Sequence, residues 1–212
     1  MTDKKISVLL VDDHKMVREG LALLIDRDPR LNVVGQCGDG LRVLGMVNQL
    51  KPQVVVLDIE LPGLNGLDVC HEISKKHNSV AVLILTMHDD EVFVMRALQS
   101  GAKGYLLKDA AAKKLSDGIV TIANGLPFFN KAIKRKPNGS LGGDIYDTLT
   151  LRERQVLQMI AEGKTSRQIA QNLHLAVKTV ETHRTRLMGK LDIHNINALV
   201  KYAIKRGIVQ LP

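Results

Sequence analysis

The chain has 212 residues, which is enough for one large domain or two modest ones. Its apolar fraction of 45% is ordinary for a folded protein. No apolar run approaches the roughly 20 residues that cross a bilayer, which argues against a membrane protein. The N-terminal stretch lacks the apolar core of a signal peptide, so we expect a cytoplasmic protein. Cys37 and Cys70 form no C-x-x-C pair and are interpreted as buried thiols.

Charge is distributed unevenly along the chain. Residues 1–126 hold 15 Lys/Arg and 16 Asp/Glu, a net charge of −1, whereas residues 127–212 hold 15 and 6, a net charge of +9. This asymmetry predicts two domains, the second of which faces a polyanion. With three Tyr, three Phe and no Trp, the chain is poorly equipped to stack unpaired bases, which favours duplex DNA over single strands.

Short apolar runs alternate with helical patterns throughout the first 126 residues. Several of the runs are continuously apolar, which is typical of strands buried on both faces of a parallel sheet. Gly101 and Gly125 stand where helices are expected to end. The pattern predicts a doubly wound α/β domain over residues 1–126 with a five-stranded parallel sheet. The predicted strands are 6–11, 32–37, 53–58, 81–86 and 103–108.

The remainder of the chain divides into a linker and a helical domain. Residues 127–147 combine Pro, Gly, Asn and Ser with a basic cluster and little periodicity, which indicates a linker. The pattern over residues 148–212 predicts an all-α domain of four helices. Two S/T-x-x-E/Q patterns, Thr150 to Glu153 and Thr165 to Gln168, indicate capping boxes.

Two helices of this second domain are separated by a three-residue step. A short helix over 166–173 and a longer basic helix over 177–191 form a helix-turn-helix pattern. In the longer helix, an inward apolar stripe is predicted, with a polar and basic face outward. The predicted inward residues are Val177, Val180, Leu187, Met188 and Leu191.

Charged and polar side chains follow four of the predicted strands. Asp12 and Asp13 follow strand 1, Asp58 ends strand 3, Thr86 ends strand 4 and Lys108 ends strand 5. Because the carboxyl ends of parallel strands meet at one edge, these groups are expected to converge. Adjacent carboxylates repel unless a hard cation such as Mg2+ lies among them. The cluster then has the equipment of a carboxylate nucleophile that accepts a phosphoryl group.

The motifs LLVDDH, VVVLDIELPGLNG, LILTMHDD and GAKGYLLKD closely resemble the receiver domain of two-component response regulators. Together with the C-terminal half, nearly the whole chain resembles the NarL/FixJ family, whose receiver has a flavodoxin-like fold. The resemblance implies that Asp58 is the phosphoacceptor. It also implies that Asp13 ligates Mg2+ directly with support from Asp12, and that the backbone carbonyl of Glu60 is a further ligand.

The same resemblance implies a switch that responds to the phosphoryl group. Thr86 and Lys108 would contact its oxygens, and Tyr105 would be the aromatic switch residue on the output face. From the residues alone, Tyr105 is equally compatible with a partly exposed strand aromatic. A sensor histidine kinase would supply the phosphoryl group, and activation would produce a homodimer.

Residues 150–207 resemble the LuxR-type DNA-binding domain, and this likeness makes 177–190 the recognition helix. Lys178, Thr179, Arg184 and Arg186 suit phosphate contacts. Base edges would be read by Glu181, Thr182 and Thr185, since a Glu accepts from cytosine N4 and a Thr methyl touches thymine.

The second domain departs from the family at the start of the recognition helix. Ala176 and Val177 stand where Ser-Pro is common, and the loss of the cap costs about 1 kcal/mol. Gly189 inside the helix costs roughly 1 kcal/mol relative to Ala. The last helix, near 195–206, suits either the dimerisation that the family implies or packing into the core.

Three functions fit these observations. The preferred one is a phosphorylation-controlled transcription regulator that is not an enzyme and binds paired half-sites in duplex DNA. A phosphatase using Asp58 as nucleophile is the second, although an Asp-x-Asp pattern is absent and Glu60 is the nearest candidate acid. The third is a DNA-binding protein that is never phosphorylated, against which the complete acidic cluster with Lys108 argues.

Overall fold

The computed structural model describes residues 5–129 and 145–209. The chain divides into two compact units, Met1–Pro137 and Asn138–Pro212. Most of the predicted linker, residues 130–144, lies outside the described residues. None of the described helices combines the length and the apolar character that spanning a bilayer requires.

The first unit is built on a parallel sheet, as predicted. The strands are β1 Ile6–Val11, β2 Leu31–Cys37, β3 Val54–Leu57, β4 Ala81–Thr86, β5 Gly104–Leu107 and β6 Phe128–Phe129. Their order in the sheet, β2-β1-β3-β4-β5-β6, places β1 between β2 and β3. Because β1, β3 and β4 are covered by helices on both faces, nearly all their side chains are buried.

Each of the first five strands is followed by a helix. The core contains Val8 and Leu10 of the sheet against Leu21 and Ile25 of the first helix and Ile119 of the fifth. Asp39, Asn65 and Asp90 cap helices through their side-chain oxygens. The helices are α1 Lys15–Asp26, α2 Gly40–Leu50, α3 Gly66–Lys76, α4 Glu91–Gln99 and α5 Ala111–Ala123.

A sixth strand extends the sheet beyond the five that the sequence predicts. Phe128 and Phe129 pair in parallel with Gly104 and Tyr105 of β5, although sequence analysis placed them in the linker. Two residues give no periodicity, so the pattern could not reveal this strand. The missing side chains of Gly104 and Gly118 make room for it, because a Cβ on Gly118 would lie 2.9 Å from the Phe128 ring.

The second unit contains the four predicted helices. Both predicted capping boxes are present, Thr150 with Glu153 and Thr165 with Gln168. In the last helix Leu199 and Ala203 are fully buried, as core packing requires. The helices are α6 Leu151–Ala161, α7 Ser166–Leu173, α8 Val177–Leu191 and α9 Ile196–Lys205, preceded by a 3-10 turn over Ile145–Thr148.

Two glycines of this unit have open space around them but opposite backbone requirements. Nothing lies within 4 Å of a Cβ built on Gly163 or on Gly189. Gly163 has φ +79°, in the left-handed region, whereas Gly189 lies inside α8. Only Gly189 therefore lacks a conformational reason to be glycine.

We expect Gly189→Ala to raise the free energy of unfolding of this unit by about 1 kcal/mol, since Ala loses less backbone entropy in a helix. The matched Gly163→Ala variant should lower it by about 1 kcal/mol, because an L-residue is disfavoured at positive φ. Urea unfolding of the whole chain, followed by circular dichroism, measures both changes. Equal effects of the two substitutions would contradict this explanation.

Candidate functional site

The carboxyl ends of β1, β3 and β5 bring two acids and one base into contact. Lys108 Nζ lies 2.6 Å from Asp12 Oδ2 and 2.7 Å from Asp58 Oδ2. Asp12 is 1% exposed and Asp58 4% exposed, so both carboxyls are almost removed from water. The convergence of Asp12, Asp58 and Lys108 that the strand ends predict is therefore present.

Burial, and the presence of two carboxyls for one ammonium, shift the pKa values in this cluster. Burial raises the pKa of Asp58 above its ordinary value, although the Lys108 ammonium acts in the opposite direction. Burial also acts to lower the pKa of Lys108, but its hydrogen bonds to Asp12 and Asp58 outweigh this and raise it. One ammonium thus faces two buried carboxyls, which leaves the cluster short of positive charge.

The donor set fits a hard divalent cation. Carboxylate and carbonyl oxygens are the ligands that Mg2+ prefers, and an added cation would supply the positive charge that the cluster lacks. Sequence analysis did not assign a role to His14, whose Nδ1 lies 2.7 Å from Asp13 Oδ1. Asp12, Asp13 and His14 place one ligand atom each within 4.8 Å of one another. His14 nitrogen suits Mg2+ less well than the oxygens do.

The predicted switch residues lie beside this cluster. Thr86 is 1% exposed, and its Oγ1 accepts a 3.4 Å hydrogen bond from the backbone N–H of His88. Tyr105 is 4% exposed rather than a partly exposed strand aromatic, and its hydroxyl donates to the His88 carbonyl at 2.7 Å. Burial and the nearby acids Asp89 and Asp58 raise the pKa of Tyr105, so its hydroxyl stays protonated and can donate.

His88 also connects Glu60 to α4, a link that sequence analysis missed. Its Nε2 lies 2.8 Å from Glu60 Oε1, and its ring stacks on Phe93 with centroids 4.0 Å apart and planes 12° apart. Sequence analysis considered the backbone carbonyl of Glu60 as a metal ligand and its carboxyl as a candidate acid, but predicted no contact with His88. The only available signal was the motif LTMHDD, in which His88 stands two residues after Thr86.

In the second unit, the helix-turn-helix lies where the sequence predicts it. Val180, Leu187 and Leu191 are buried, which confirms most of the inward stripe. Val177 is 45% exposed, so its assignment to that stripe was wrong. Val177 is the first residue of α8, and the N-cap residue Ala176 has no side chain that could accept a hydrogen bond from the helix backbone.

The predicted DNA-contacting residues of α8 are exposed or half-buried. Two of them use their hydroxyl protons within the helix: Thr182 Oγ1 donates to the Lys178 carbonyl at 2.9 Å, and Thr185 Oγ1 donates to the Glu181 carbonyl at 3.0 Å. Arg184 Nη1 lies 3.6 Å from Glu181 Oε2. Lys178, Thr179, Thr182, Thr185 and Arg186 are exposed, and Glu181 and Arg184 are half-buried.

An ion pair between the buried Glu153 and the exposed Lys190 joins α6 to α8, and sequence analysis identified only the capping role of Glu153. Glu153 Oε2 accepts from the Thr150 backbone N–H at 2.8 Å, as a capping box requires, and lies 2.7 Å from Lys190 Nζ. Lys190 also donates to the Thr148 carbonyl at 3.0 Å. Burial acts to raise the pKa of Glu153, but the bonds from Lys190 and Thr150 outweigh it and lower the pKa. This pair fixes the last turn of α8.

Comparisons with known proteins agree with this geometry. Residues 8–120 match the response regulator receiver domain, and residues 147–203 match the bacterial regulatory proteins of the luxR family. LiaR, a transcriptional regulatory protein of Bacillus subtilis, is 32% identical over 209 residues, which are 96% of this chain and 99% of that protein.

Two solved structures resemble the chain over nearly its whole length. RcsB from Salmonella typhimurium, a response regulator studied for its DNA interaction, has a TM-score of 0.58 and 25% identity, covering 99% of this chain and 100% of that one. The response regulator ChrA, from a heme-sensing two-component system, has a TM-score of 0.52 and 31% identity, covering 97% and 99%. The chain belongs to the two-component response regulators with a receiver domain and a LuxR-type DNA-binding domain.

The electrostatics of the cluster give a test on stability. Folding raises the pKa of Asp58, so protonated Asp58 stabilises the folded receiver relative to the ionised form. This stabilisation is complete below the pKa of Asp58 in the unfolded chain, about 4, and is lost as pH rises through its pKa in the folded chain. Asp58→Asn should therefore unfold at higher urea than the wild type at pH 7 without Mg2+. That difference should shrink as pH falls toward about 4.

The neighbouring Asp109 is exposed and serves as a matched control. Asp109→Asn should leave the urea midpoint of the receiver unchanged at both pH values. An Asp58→Asn variant that is less stable than the wild type at pH 7 would contradict the assigned electrostatics.

Proposed function

We propose that Asp58 accepts a phosphoryl group from a sensor histidine kinase, and that this controls DNA binding by the second unit. The observation that carries the proposal is the contact of Lys108 with both Asp12 and Asp58 at the strand ends. In the transfer, a carboxylate oxygen of Asp58 would bond to phosphorus as the bond from phosphorus to the donor's histidine nitrogen breaks. Membership of a family that contains receiver domains supports this assignment.

Mg2+ fits the ligand set of Asp12, Asp13, Asp58 and the Glu60 carbonyl. When bound, it neutralises charge on the transferring phosphoryl oxygens. Asp58 supplies the nucleophilic oxygen, and its burial keeps water from competing with the donor. Lys108 already reaches Asp58 and would hold one phosphoryl oxygen by a charge-assisted hydrogen bond.

The added group provides the signal. A phosphoryl group brings about −1.5 to −2 charges and three strong acceptors into the pocket. Thr86 would donate its hydroxyl to one of them, a role for which its buried position beside the His88 backbone suits it. His88 also accepts from Tyr105 and stacks on Phe93, so a movement of Thr86 would reach α4 through residues already in contact. This differential contact supplies what a population shift requires.

The second unit would read duplex DNA with α8. Phosphates would be contacted by Lys178, Thr179, Arg184 and Arg186, and bases by Glu181, Thr182 and Thr185. The match to luxR-family proteins and the net charge of +9 over 127–212 support this role. Activation would yield a homodimer on paired half-sites, since two linked helices gain affinity from effective concentration. The protein would act in the cytoplasm as a transcription regulator.

The phosphatase alternative has less support. Its candidate acid, Glu60, is engaged with His88 at 2.8 Å, which occupies the carboxylate that would have to protonate a leaving group. The family to which the chain belongs consists of regulators.

Phosphorylation is tested with acetyl phosphate and Mg2+, followed by mass spectrometry of peptides. We expect one phosphoryl group, on Asp58, and a strong loss of labelling in Asp13→Asn, which removes a charged Mg2+ ligand. Asp58→Ala should take up no label, while Asp109→Asn should be labelled like the wild type. A wild-type level of label in Asp58→Ala would overturn the assignment of the phosphoacceptor.

The assembly step is tested by analytical ultracentrifugation with and without the phosphodonor. Phosphorylated wild type should sediment as a dimer and bind a duplex with two half-sites far more tightly than one with a single half-site. Thr86→Ala should accept the phosphoryl group but dimerise weakly, because the hydroxyl that responds to it is missing. Phosphorylation that changes neither the mass nor the preference for paired half-sites would contradict the dimer mechanism.

A further inference from the structure

Arg18 of α1 reaches back to the end of β1. Its Nη1 donates to the backbone carbonyl of Asp12, and its backbone N–H donates to the His14 carbonyl at 3.0 Å. Arg18 forms no ion pair among the described residues, although Asp12 and Asp13 are close to it in the chain. Its charge is therefore directed at the backbone that carries the two acids, and their carboxylates are left to other partners.

The bond from Arg18 is one of three that hold Asp12 in place. The backbone N–H of Asp12 donates to the Cys37 carbonyl at 3.0 Å, and Asp12 Oδ1 accepts from the His14 backbone N–H at 2.9 Å. Only the bond from Arg18 has a side chain as its donor. Because the peptide bond between Asp12 and Asp13 is planar, the direction of the Asp12 carbonyl also fixes the backbone from which the Asp13 side chain departs.

The surroundings of the guanidinium leave room for this bond. A Cβ on Gly38 would lie 3.0 Å from Arg18 Nη1 and 3.3 Å from the Asp12 carbonyl oxygen. Arg18 Nε is buried and has no hydrogen-bond partner in the described part of the receiver. A buried donor without a partner destabilises the folded state, so packing alone does not account for an arginine at this position.

We propose that Arg18 is a positioning residue for the Mg2+ site, because its bond to the Asp12 carbonyl fixes the direction in which Asp13 presents its carboxylate. The inference rests on the proposed function, in which Asp13 ligates Mg2+ directly. Mg2+ demands near-ideal octahedral geometry, so a ligand that is free to turn binds it less well. Groups that orient metal ligands without touching the ion typically contribute about 10- to 100-fold to metal affinity.

Charge and geometry predict opposite results when Arg18 is replaced. A cation beside the site repels Mg2+, so the loss of charge in Arg18→Met would by itself tighten Mg2+ binding. The loss of the bond to Asp12 would weaken it. Arg18→Lys keeps the charge and removes the planar guanidinium that donates to the carbonyl. We expect both variants to bind Mg2+ more weakly than the wild type, on the order of tenfold.

Gly38→Ala perturbs the same bond from the other side and changes no charge. Its added methyl group should displace the guanidinium, and Gly38 is not among the glycines with positive φ, so the backbone accepts alanine. Mg2+ binding should weaken as in Arg18→Lys. Gly45→Ala is the matched control, because nothing lies within 4 Å of a Cβ on Gly45. Arg27→Lys, at an exposed residue that follows α1, is the control for the arginine.

Thermal unfolding of the full-length chain at a series of Mg2+ concentrations, without phosphodonor, measures the affinity. An ion that binds only the folded state raises the unfolding midpoint in proportion to its occupancy of the site. Gly45→Ala and Arg27→Lys should respond at the Mg2+ concentrations of the wild type. Labelling by acetyl phosphate should need about tenfold more Mg2+ in Arg18→Lys and reach the wild-type rate once Mg2+ is saturating.

The possible results separate the inference from the function on which it rests. If the wild-type midpoint does not depend on Mg2+, the proposed Mg2+ site is wrong, and the inference falls with it. If the wild type responds, and Arg18→Lys and Gly38→Ala respond at the same concentrations, the site stands and the inference is overturned. Tighter binding by Arg18→Met overturns it equally, as does an Arg18→Lys labelling rate that stays low at saturating Mg2+.

Discussion

The contact of one ammonium with two buried carboxyls is the interaction on which the rest of the receiver depends. Lys108 neutralises only part of the charge of Asp12 and Asp58, so the cluster remains electrostatically unsatisfied in a site nearly closed to water. A fully satisfied ion pair would give stability without a reason to bind anything. Under the proposed function, this one would favour an added cation, and Lys108 would exchange a carboxylate partner for a phosphoryl oxygen. On that proposal, the buried carboxyl of Asp58 that lowers the stability of the receiver is also the group that signalling requires.

The parts of the fold that the sequence predicts are those that depend on local pattern. Continuous apolar runs located β1, β3 and β4 to within a residue, because strands buried on both faces tolerate few polar side chains. Because the carboxyl ends of parallel strands lie at one edge of the sheet, the sequence also predicted that Asp12, Asp58 and Lys108 lie close together. Capping boxes at Thr150 and Thr165 were equally local, since each requires two residues at a fixed spacing.

The features that sequence analysis missed depend on contacts between distant segments. Phe128 and Phe129 form a strand only because β5 offers an edge, and the ion pair of Glu153 with Lys190 spans 37 positions. His88 acquires its role from Glu60 and Phe93, which come from two different parts of the fold. Val177 was misplaced because helical periodicity does not say where packing stops at a helix end. The hydroxyl states of Thr182 and Thr185 likewise require coordinates.

The central claim is that phosphorylation of Asp58 controls DNA binding by the second unit. DNA footprinting of the full-length chain on a duplex it binds, with and without phosphodonor and Mg2+, tests it most directly. We expect the phosphodonor to strengthen protection and extend it over a second half-site in the wild type. Asp58→Ala should give the same footprint under both conditions. An identical wild-type footprint with and without the phosphodonor, on protein shown to be phosphorylated, would contradict the account.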